Sequence, residues 1–452
     1  MPGQPVRHAL PVLCLLGLAL PPWTAHAASS PEALEADIAQ LRARLQQLEL
    51  DLQARATPPA NAPRERAEAA PSAAAPVQAG TLPGSFKLPG TDTSLKLYGM
   101  ARLDTTYDFR QRIANVNAYG WANALFVQPL DDSAAGQRHG QSFATARGSR
   151  FGLLTATPTA AGVLNTKIEA DFDGLNTLGG ETATTFRLRE AYGQLNGWLV
   201  GQTFSTFTDL RASPDIVEWN GTGIQPTIRQ AMVRYTQPVA KAHRFDVAVE
   251  NSVGSSLAKS PVTDYDTAFD LVAGYTHDAG WGHVSARAVT VKYHNDRGGK
   301  QGWGLAASGR GNLSAQDHVV LLAVGGAGIG RYMFNGSTQS AIDTPEGIRL
   351  WRGGGVHLGY GHRWSDTWRT TVAYARTQFA RDDLANTTQR ANSPAGADFY
   401  PNQRLTQWFL TTWWSPLPQV DAGVDYTHGR RVTFNGERGT VSRLSGMVRY
   451  KF

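Results

Sequence analysis

The residues best suited to chemistry in this sequence are arginines set among apolar residues in short alternating segments. The clearest are Arg102, Arg150, Arg187, Arg189, Arg234 and Arg363. A guanidinium group binds a carboxylate or a phosphate through two parallel hydrogen bonds. Rows of arginine on one face of a sheet therefore predict a surface that attracts and binds small anions.

A second interpretation is that the same arginines form ion pairs within the sheet. Glu169, Asp171 and Asp173 share one face of the segment that precedes Arg187 and Arg189. Opposite charges on neighbouring strands stabilise the pairing of those strands. Both interpretations stay open for any single arginine, and the row as a whole supports anion binding better than any of its members.

The elements that must carry these arginines are β-strands, because polar and apolar residues alternate with a period of two. Leu97 and Leu103 share one face of the first segment, and Lys96 and Arg102 share the other. We expect about sixteen such strands from this pattern. They begin near Leu95, Ser142, Val163, Phe186, Trp198, Ile228, Phe245, Asp270, Val284, Gly302, His318, Val356, Arg369, Leu405, Gln419 and Ser442.

The connections between these strands alternate in length. Long polar connections, such as 206–227, 294–301 and 429–441, follow the odd strands, and tight turns such as Asn196-Gly197 follow the even ones. Outer-membrane barrels sort their connections in this way, and a closed barrel pairs every backbone group within lipid. The predicted fold class is all-β: a sixteen-stranded antiparallel transmembrane β-barrel preceded by a short α-helical coiled coil.

The composition fits a barrel rather than membrane helices. Only 18% of the residues are charged, yet the mean hydropathy is −0.31. No apolar run approaches the ~18 residues that a spanning helix needs. Aromatic residues near strand ends predict girdles at the two membrane interfaces. These residues are Trp198, Trp364, Trp368, Trp408, Trp413, Trp414, Tyr426, Tyr450 and Phe452.

The connection at 206–227 is the candidate for narrowing the lumen. It contains Asp209, Arg211, Asp215 and Glu218. An acidic loop opposite a basic wall would orient charged solutes as they pass. The alternative, an exposed external loop, stays open.

The N-terminal region divides into three predicted segments before the barrel at 85–452. Residues 1–27 have a basic start, an apolar stretch and Ala25-His26-Ala27, which are typical of a signal peptide. The only cysteine, Cys14, lies within it, so we expect no disulfide in the mature chain. Residues 54–84 are rich in alanine and proline and are predicted to be a disordered linker.

Between the signal peptide and the linker, residues 28–53 have a heptad pattern. The apolar positions, spaced alternately by four and three residues, are Leu34, Ile38, Leu41, Leu45, Leu48 and Leu52. This spacing predicts a coiled-coil oligomerisation helix, although it does not fix the number of strands. A lone amphipathic helix is the alternative.

Charge and motifs exclude several classes of function. Residues 28–84 hold five basic and seven acidic residues, so the excess of positive charge lies in the barrel. The basic residues occur singly in an exported chain, which argues against nucleic acid as a partner. The sequence has no Gly-x-Ser-x-Gly motif, and His357 and His362 are predicted on opposite faces of one strand. We expect no catalytic residue, no metal site and no cofactor; a calcium ion at Asp264, Asp266 and Asp270 is a minor alternative.

The order of these segments closely resembles the DcaP-like porins of Gram-negative bacteria. The resemblance rests on Ser-Phe-Lys-Leu-Pro-Gly-Thr-Asp-Thr at 85–93, Arg-Gly-Ser-Arg-Phe-Gly at 147–152, Arg-Leu-Arg-Glu-Ala-Tyr-Gly at 187–193 and Val-Gly-Gln-Thr-Phe at 200–204. It implies homotrimers of sixteen-stranded barrels in the outer membrane, with a periplasmic coiled coil. It also implies passage of small anionic solutes such as dicarboxylates.

Taken together, these features predict a passive outer-membrane porin with a preference for small anions, and not an enzyme. Its expected partners are those solutes, the lipid and lipopolysaccharide of the membrane, and the assembly machinery that reads a terminal aromatic residue such as Phe452. The alternative is an envelope-tethering protein, in which the coiled coil binds peptidoglycan or a periplasmic partner and the barrel only anchors it.

Overall fold

The protein was analysed as a computed structural model. It describes Gln40, 42–44, 46–47, 77–110, 125–174, 185–252, 257–258, 268–333, 339–392 and 401–452. The chain divides into two units, Met1–Ala75 and Pro76–Phe452. In the first unit the described residues are helical. The predicted signal peptide, the apolar heptad positions and nearly all of the predicted linker lie outside the described residues.

The second unit consists almost entirely of strands. They are β1 (Phe86–Lys87), β2 (Ser94–Arg110), β3 (Gln141–Thr145), β4 (Arg150–Thr159), β5 (Gly162–Asp171), β6 (Arg187–Leu195), β7 (Trp198–Phe204), β8 (Arg229–Ala240), β9 (His243–Glu250), β10 (Leu257–Ala258), β11 (Asp270–Ala279), β12 (Gly282–Asn295), β13 (Gly298–Asn312), β14 (Asp317–Ala327), β15 (Ala341–Thr344), β16 (Gly347–Leu350), β17 (Arg352–Arg363), β18 (Trp368–Phe379), β19 (Asn402–Leu417), β20 (Val420–Thr433) and β21 (Arg438–Lys451). Short 3-10 helices occur at Leu125–Val127, Leu210–Ala212 and Gly330–Tyr332, and an α-helix at Asp383–Asn392.

The long strands pair in sequence, and the last one closes the sheet onto the first. β2 pairs with β21 from Met100 opposite Lys451 to Arg110 opposite Ser442. The result is a closed antiparallel barrel of sixteen strands, made of β2, β4–β9, β11–β14 and β17–β21. The predicted fold of the barrel is confirmed.

The alternation of the sequence becomes the two faces of the wall. On β2 the side chains of Leu97 and Leu103 are exposed on the outer face, while Arg102, Asp104 and Asp108 are buried on the inner one. Side chains of successive strand residues point to opposite faces. Polar residues therefore line the lumen and apolar residues face lipid.

Three details differ from the sequence-based expectation. The second strand is interrupted between β3 and β4, where a Cβ on Gly148 would lie 3.1 Å from the Arg102 side chain. The expected long connections at 294–301 and 429–441 are mostly strand, because β12–β13 and β20–β21 keep pairing up to Asn295 opposite Gly298 and Val432 opposite Arg438. Hairpin pairing can continue beyond the membrane, where apolar alternation is no longer required.

The turns and aromatic residues follow the prediction with one exception. Asn196 and Gly197 both have positive φ, at 48° and 85°, which a tight two-residue hairpin turn requires. The aromatic residues that we expected at the interfaces are exposed, apart from Trp413. Trp413 is 2% exposed and points into the lumen, where its Nε1 donates to the Asp215 carbonyl at 3.1 Å.

The apolar core lies inside the barrel and is built largely by its connections. Phe207 and Ile224, between β7 and β8, pack in one cluster with Tyr332, Met333 and other residues of the connection between β14 and β17. The Phe207 and Tyr332 rings meet edge to face, 5.4 Å apart. Among the described residues, none of the helices has the length and apolar character needed to cross a membrane.

Candidate functional site

The site begins with the connection between β7 and β8, which enters the lumen. Its two ends are joined by a hydrogen bond from the Ser205 amide to the Ile228 carbonyl at 3.0 Å. Between them the chain crosses to strands on the other side of the barrel. We call residues 205–228 the inner loop.

Asp209 anchors the inner loop to the distant wall. Its carboxylate accepts from Ser308 Oγ on β13 at 2.6 Å and contacts His283 Nε2 on β12 at 2.8 Å. Burial raises the pKa of this carboxyl, but the hydrogen bonds from Ser308 and His283 outweigh it, so the pKa lies below its ordinary value. Asp209 therefore stays ionised and bound at neutral pH.

The other charged residues of the inner loop also have partners on the wall. Arg211 pairs with Asp278 on β11, and Asp215 Oδ2 accepts from Arg369 Nε on β18 at 2.6 Å. Glu218 is buried and accepts from the Asn220 amide at 3.1 Å. The structure thus places Asp209, Arg211, Asp215 and Glu218 on the inner loop, and the first three bind side chains of the wall.

His357 of β17 forms a second contact between the wall and the inner loop. Its Nδ1 is 2.8 Å from Thr222 Oγ1, and its Nε2 is 2.9 Å from the Ala212 carbonyl. Both contacts reach the inner loop, so the ring joins two parts of that loop to the barrel. The neighbouring His362 pairs instead with Asp317 at 2.7 Å.

The wall opposite the loop's tip carries the predicted arginines, held by carboxylates. Arg189 donates from Nε to Glu169 at 2.6 Å and from Nη1 to Asp171 at 2.7 Å. Arg187 forms a two-point contact with the same Asp171. Arg102 likewise binds Asp104 through Nε and Nη2, at 2.7 and 2.6 Å. The ion-paired interpretation therefore describes these three arginines correctly.

Arg150 is held less tightly. Among the described residues, its one bond to a carboxylate is a 3.4 Å contact between Nη1 and Glu169, and its buried Nε has no partner there. A buried donor without a partner costs free energy unless water or a ligand binds it. Arg150 therefore has donors to offer to a solute.

Trp219, at the tip of the inner loop, joins the loop to this wall. The guanidinium carbons of Arg102, Arg150 and Arg189 lie 4.6, 5.6 and 5.7 Å from the centre of its ring. Cations are attracted to an indole face at such distances. The ring holds three guanidinium groups from β2, β4 and β6 around one point.

The loop and the wall enclose a cavity of about 550 Å³ in the lumen. One carboxylate, Glu218, lines it, together with six arginines: Arg102, Arg150, Arg187, Arg189, Arg229 and Arg331. Such a lining attracts negative charge and offers several guanidinium groups to one solute. Two grooves of about 1000 and 580 Å³ lie on the outer face of the barrel.

The remaining predicted arginines lie elsewhere. Arg234 is on β8 but does not line the cavity. Arg363, at the end of β17, is half exposed and lies 3.7 Å from Asp366. Two further arginines, Arg443 and Arg449 on β21, bind Asp108 and Asp421 as part of the wall.

Sequence reasoning missed Arg229 and Arg331 and did not assign a role to Trp219. Arg229 begins β8 at a position whose parity indicates the lipid face, but its guanidinium lies 3.9 Å from the Phe204 ring and lines the cavity. Arg331 belongs to a connection and pairs with Asp270. Alternation gives no information about a strand end or a connection, so no signal marked these residues.

Among the described residues, no group of three histidine, cysteine or acidic side chains could hold a metal ion. Asp264 and Asp266, two of the three residues considered for calcium, lie outside the described residues. Asp270, the third, accepts from the Tyr332 hydroxyl at 2.5 Å.

Comparison with known proteins agrees with the barrel fold. The solved outer membrane channel DcaP of Acinetobacter baumannii is similar, with a TM-score of 0.71 and 24% identity over 83% of this chain and 100% of that chain. An anion-selective porin from Comamonas acidovorans has a TM-score of 0.50 and 11% identity over 80% of this chain and 100% of that one. No curated protein matches the sequence. The family model for the DcaP outer membrane protein matches residues 85–452, so the chain belongs to this family of outer-membrane channels.

Proposed function

We propose that the protein is a porin whose water-filled lumen passes small hydrophilic solutes and prefers anions such as dicarboxylates. The observation that carries the proposal is the lining of the lumen cavity, with six arginines and a single carboxylate. Rings of arginine in a pore raise the local concentration of anions and lower that of cations. The carboxylates paired with Arg102, Arg187, Arg189 and Arg331 do not line the cavity, so the charged groups that a solute meets there are mainly guanidinium groups.

The ion pairs behind the cavity support this role instead of cancelling it. Glu169 and Asp171 fix the planes of Arg187 and Arg189, yet each guanidinium has five donors. Arg189 uses Nε and Nη1 on these carboxylates. Its Nη2 makes no hydrogen bond to a described residue, and the guanidinium lines the cavity, where it can donate to a solute.

A solute with two carboxylates suits this cavity better than one with a single charge. Arginines from β2, β4, β6 and β8 converge on it, so two guanidinium groups can each engage one end of the solute. Arg150 and Arg229 are the best candidates, because the Nε of each is buried without a partner among the described residues. When both Nε groups donate to a bound dicarboxylate, the free-energy cost of leaving them without a partner is removed.

The proposal includes a homotrimer joined by the predicted coiled coil at 28–53. The described residues of that segment are helical, and an isolated helix of this length is marginal in water without a partner. Cross-linking of the full chain and of a variant that lacks residues 28–53 tests this part. Trimers of the full chain and their weakening in the variant are expected, whereas monomers in both would contradict it.

The experiment for selectivity is the reversal potential of single channels in a salt gradient. We expect the reversal potential of the native channel to show anion selectivity. The reversal potentials of Arg150→Gln and Arg189→Gln should lie closer to zero. Arg363→Gln is the matched control, because it removes the same charge at the end of β17 outside the cavity. Cation selectivity of the native channel, or unchanged potentials in both cavity variants, would contradict the proposal.

Added dicarboxylate tests the solute class separately. We expect it to reduce the ionic current through the native channel, and to do so less through Arg150→Gln. The Arg363→Gln channel should respond like the native one. Equal block of all three channels would show that the cavity arginines do not bind the solute.

A further inference from the structure

The outer face of the barrel has a wide groove across β13, β14, β17 and β18, with a volume of about 1000 Å³. Strand register explains its shape. One row across it consists of Leu305, Gly325, Gly354 and Gln378. The next row consists of Ala307, Ala323, Val356 and Arg376. Glycine and alanine on the two middle strands leave a floor without large side chains, bordered by Trp303 and Leu305.

A basic pocket of about 540 Å³ adjoins the end of this groove nearest the long connections. The groove and the pocket share Trp303, Arg352 and Ala380. The pocket is lined by four cations, Lys300, Arg349, Arg352 and Arg381, and by two carboxylates, Glu346 and Asp382. Arg376 lines the groove below them. An apolar surface and a cluster of cations therefore form one continuous site.

Several of these cations lack a counter-charge. Arg349 pairs with Asp382 at 3.2 Å and Arg381 with Asp383 at 2.7 Å. No carboxylate of the described residues lies within salt-bridge distance of Lys300, Arg352 or Arg376. Arginine on the lipid face of a barrel costs free energy unless its charge reaches an anion or water. Arg376 is such a residue, since its neighbours Ala375 and Thr377 are buried on the inner face.

We propose that this groove and pocket bind lipopolysaccharide through its lipid A part, with acyl chains in the groove and phosphates on the cations. The long connections mark the outer side of an outer-membrane barrel, and this rim carries the pocket. Arg352 on β17 lies four residues along the strand from Val356, which pairs with Arg376 on β18, so the Cα atoms of the two arginines are roughly 14 Å apart. A single phosphate cannot reach both cations, whereas the two phosphates of a disaccharide headgroup can.

A second groove on the outer face provides a comparison. It lies over β8, β9, β11 and β12, has a volume of about 580 Å³, and no charged residue lines it. Hydrocarbon chains or a second copy of the chain could cover an apolar groove of that kind. Hydrocarbon chains alone would supply no counter-charge for Lys300, Arg352 and Arg376. The cations therefore favour a phosphorylated lipid at the first groove.

The test is native mass spectrometry of the full-length protein in detergent, titrated with bis-phosphorylated, hexa-acylated lipid A. We expect Arg352→Gln and Arg376→Gln each to weaken binding about fivefold, since one cation at an anionic membrane surface contributes about that factor. Arg138→Gln is the control, because this exposed arginine precedes β3, six strands from β14 around the barrel. No loss in either groove variant, or equal loss in the control, would overturn the proposal.

A second pair of variants tests the acyl part. A Cβ on Gly325 would lie 3.7 Å from its nearest neighbour, so Gly325→Leu fills the groove without displacing backbone. Ala273→Leu fills the uncharged groove in the same way. We expect only Gly325→Leu to weaken lipid A binding, with the oligomeric state unchanged. If Gly325→Leu instead dissociates the oligomer and leaves lipid binding intact, the groove is an interface between copies and the proposal is wrong.

The lipid class is tested with the same variants. Dephosphorylated lipid A should bind the native protein more weakly, and Arg352→Gln should have little further effect on it. Phosphatidylglycerol should bind less tightly than lipid A. If phosphatidylglycerol binds equally well and is equally sensitive to Arg352→Gln, the site is a general one for anionic phospholipids and the assignment to lipid A is wrong.

Discussion

The guanidinium carbon of Arg102, on β2, lies 4.6 Å from the centre of the Trp219 ring at the tip of the inner loop. Arg150 and Arg189 approach the same ring from the neighbouring strands. The contact therefore joins a loop that enters the lumen to the wall that it faces. It also sets the positions of three cations that line the cavity.

Replacement of this ring should loosen both the loop and the arginines. We expect Trp219→Leu to remove about 0.5–1 kcal/mol for each of the three cation contacts. Single-channel conductance should rise, and block by dicarboxylates should weaken. Trp364→Leu, at an exposed position on the outside, is the matched control. Conductance and block equal to those of the native channel would show that Trp219 does not organise the cavity.

Asp209 should stabilise the inner loop more than Arg211 does. Hydrogen bonds to a buried charged group contribute about 1.5–3 kcal/mol, whereas an exposed ion pair contributes about 0–1 kcal/mol. Asp209→Asn should therefore cause frequent brief closures in single-channel records, and Arg211→Gln should not. Similar records for the two variants would contradict the anchoring role of Asp209.

The lowered pKa of Asp209 gives this anchor a predictable response to acid. A carboxyl whose pKa is depressed on folding stabilises the folded state above its unfolded pKa and loses that effect as the pH falls through the folded pKa. Single-channel recordings should thus show few closures at any pH above about 4, and the frequency of closures should increase only at lower pH. The Asp209→Asn channel should lack this transition. Closures that appear near neutral pH would have to come from another group.

Arg443 and Asp108 form a buried pair that belongs to the wall. Arg443 is fully buried and donates from Nε and Nη2 to the two carboxylate oxygens at 2.6 and 2.8 Å. Removal of one partner leaves a buried charge, so Arg443→Met should lower the free energy of unfolding by about 3–5 kcal/mol in urea titrations. The double variant Arg443→Met/Asp108→Asn should regain part of the lost free energy of unfolding. Arg449→Met should cost less, since Asp421 keeps Lys451 at 3.1 Å.

Gly99 is critical where the barrel closes. Its amide and carbonyl pair with those of Phe452, and an added Cβ would lie 2.6 Å from both the Arg150 carbonyl and the Phe452 ring. Overpacking of this kind costs about 1–3 kcal/mol. Gly99→Ala should unfold at a lower temperature in heat-modifiability gels, whereas Gly311→Ala, whose nearest neighbour is 3.7 Å away, should not. Equal unfolding temperatures for Gly99→Ala and Gly311→Ala would show that Gly99 is not tightly packed where the barrel closes.

The inward arginines of the wall could be predicted because strand parity is a local property. Arg102, Arg150 and Arg189 are buried or half-buried on the inner face, as the alternation indicates. The same rule failed for Arg229, and it was not applied to Trp413. Trp413 has inward parity but was grouped with the outer aromatic residues, and Arg229 begins a strand, where its long side chain can turn into the lumen.

The sequence by itself determined the approximate number of strands, their two faces and the hairpin at Asn196-Gly197, because period and turn chemistry depend only on neighbouring residues. It could not determine which arginines meet. That depends on contacts between residues far apart in the chain, such as Trp219 with Arg102 and Asp209 with Ser308. Only barrel closure and the inward course of one connection bring these groups together, and both are properties of the whole tertiary structure.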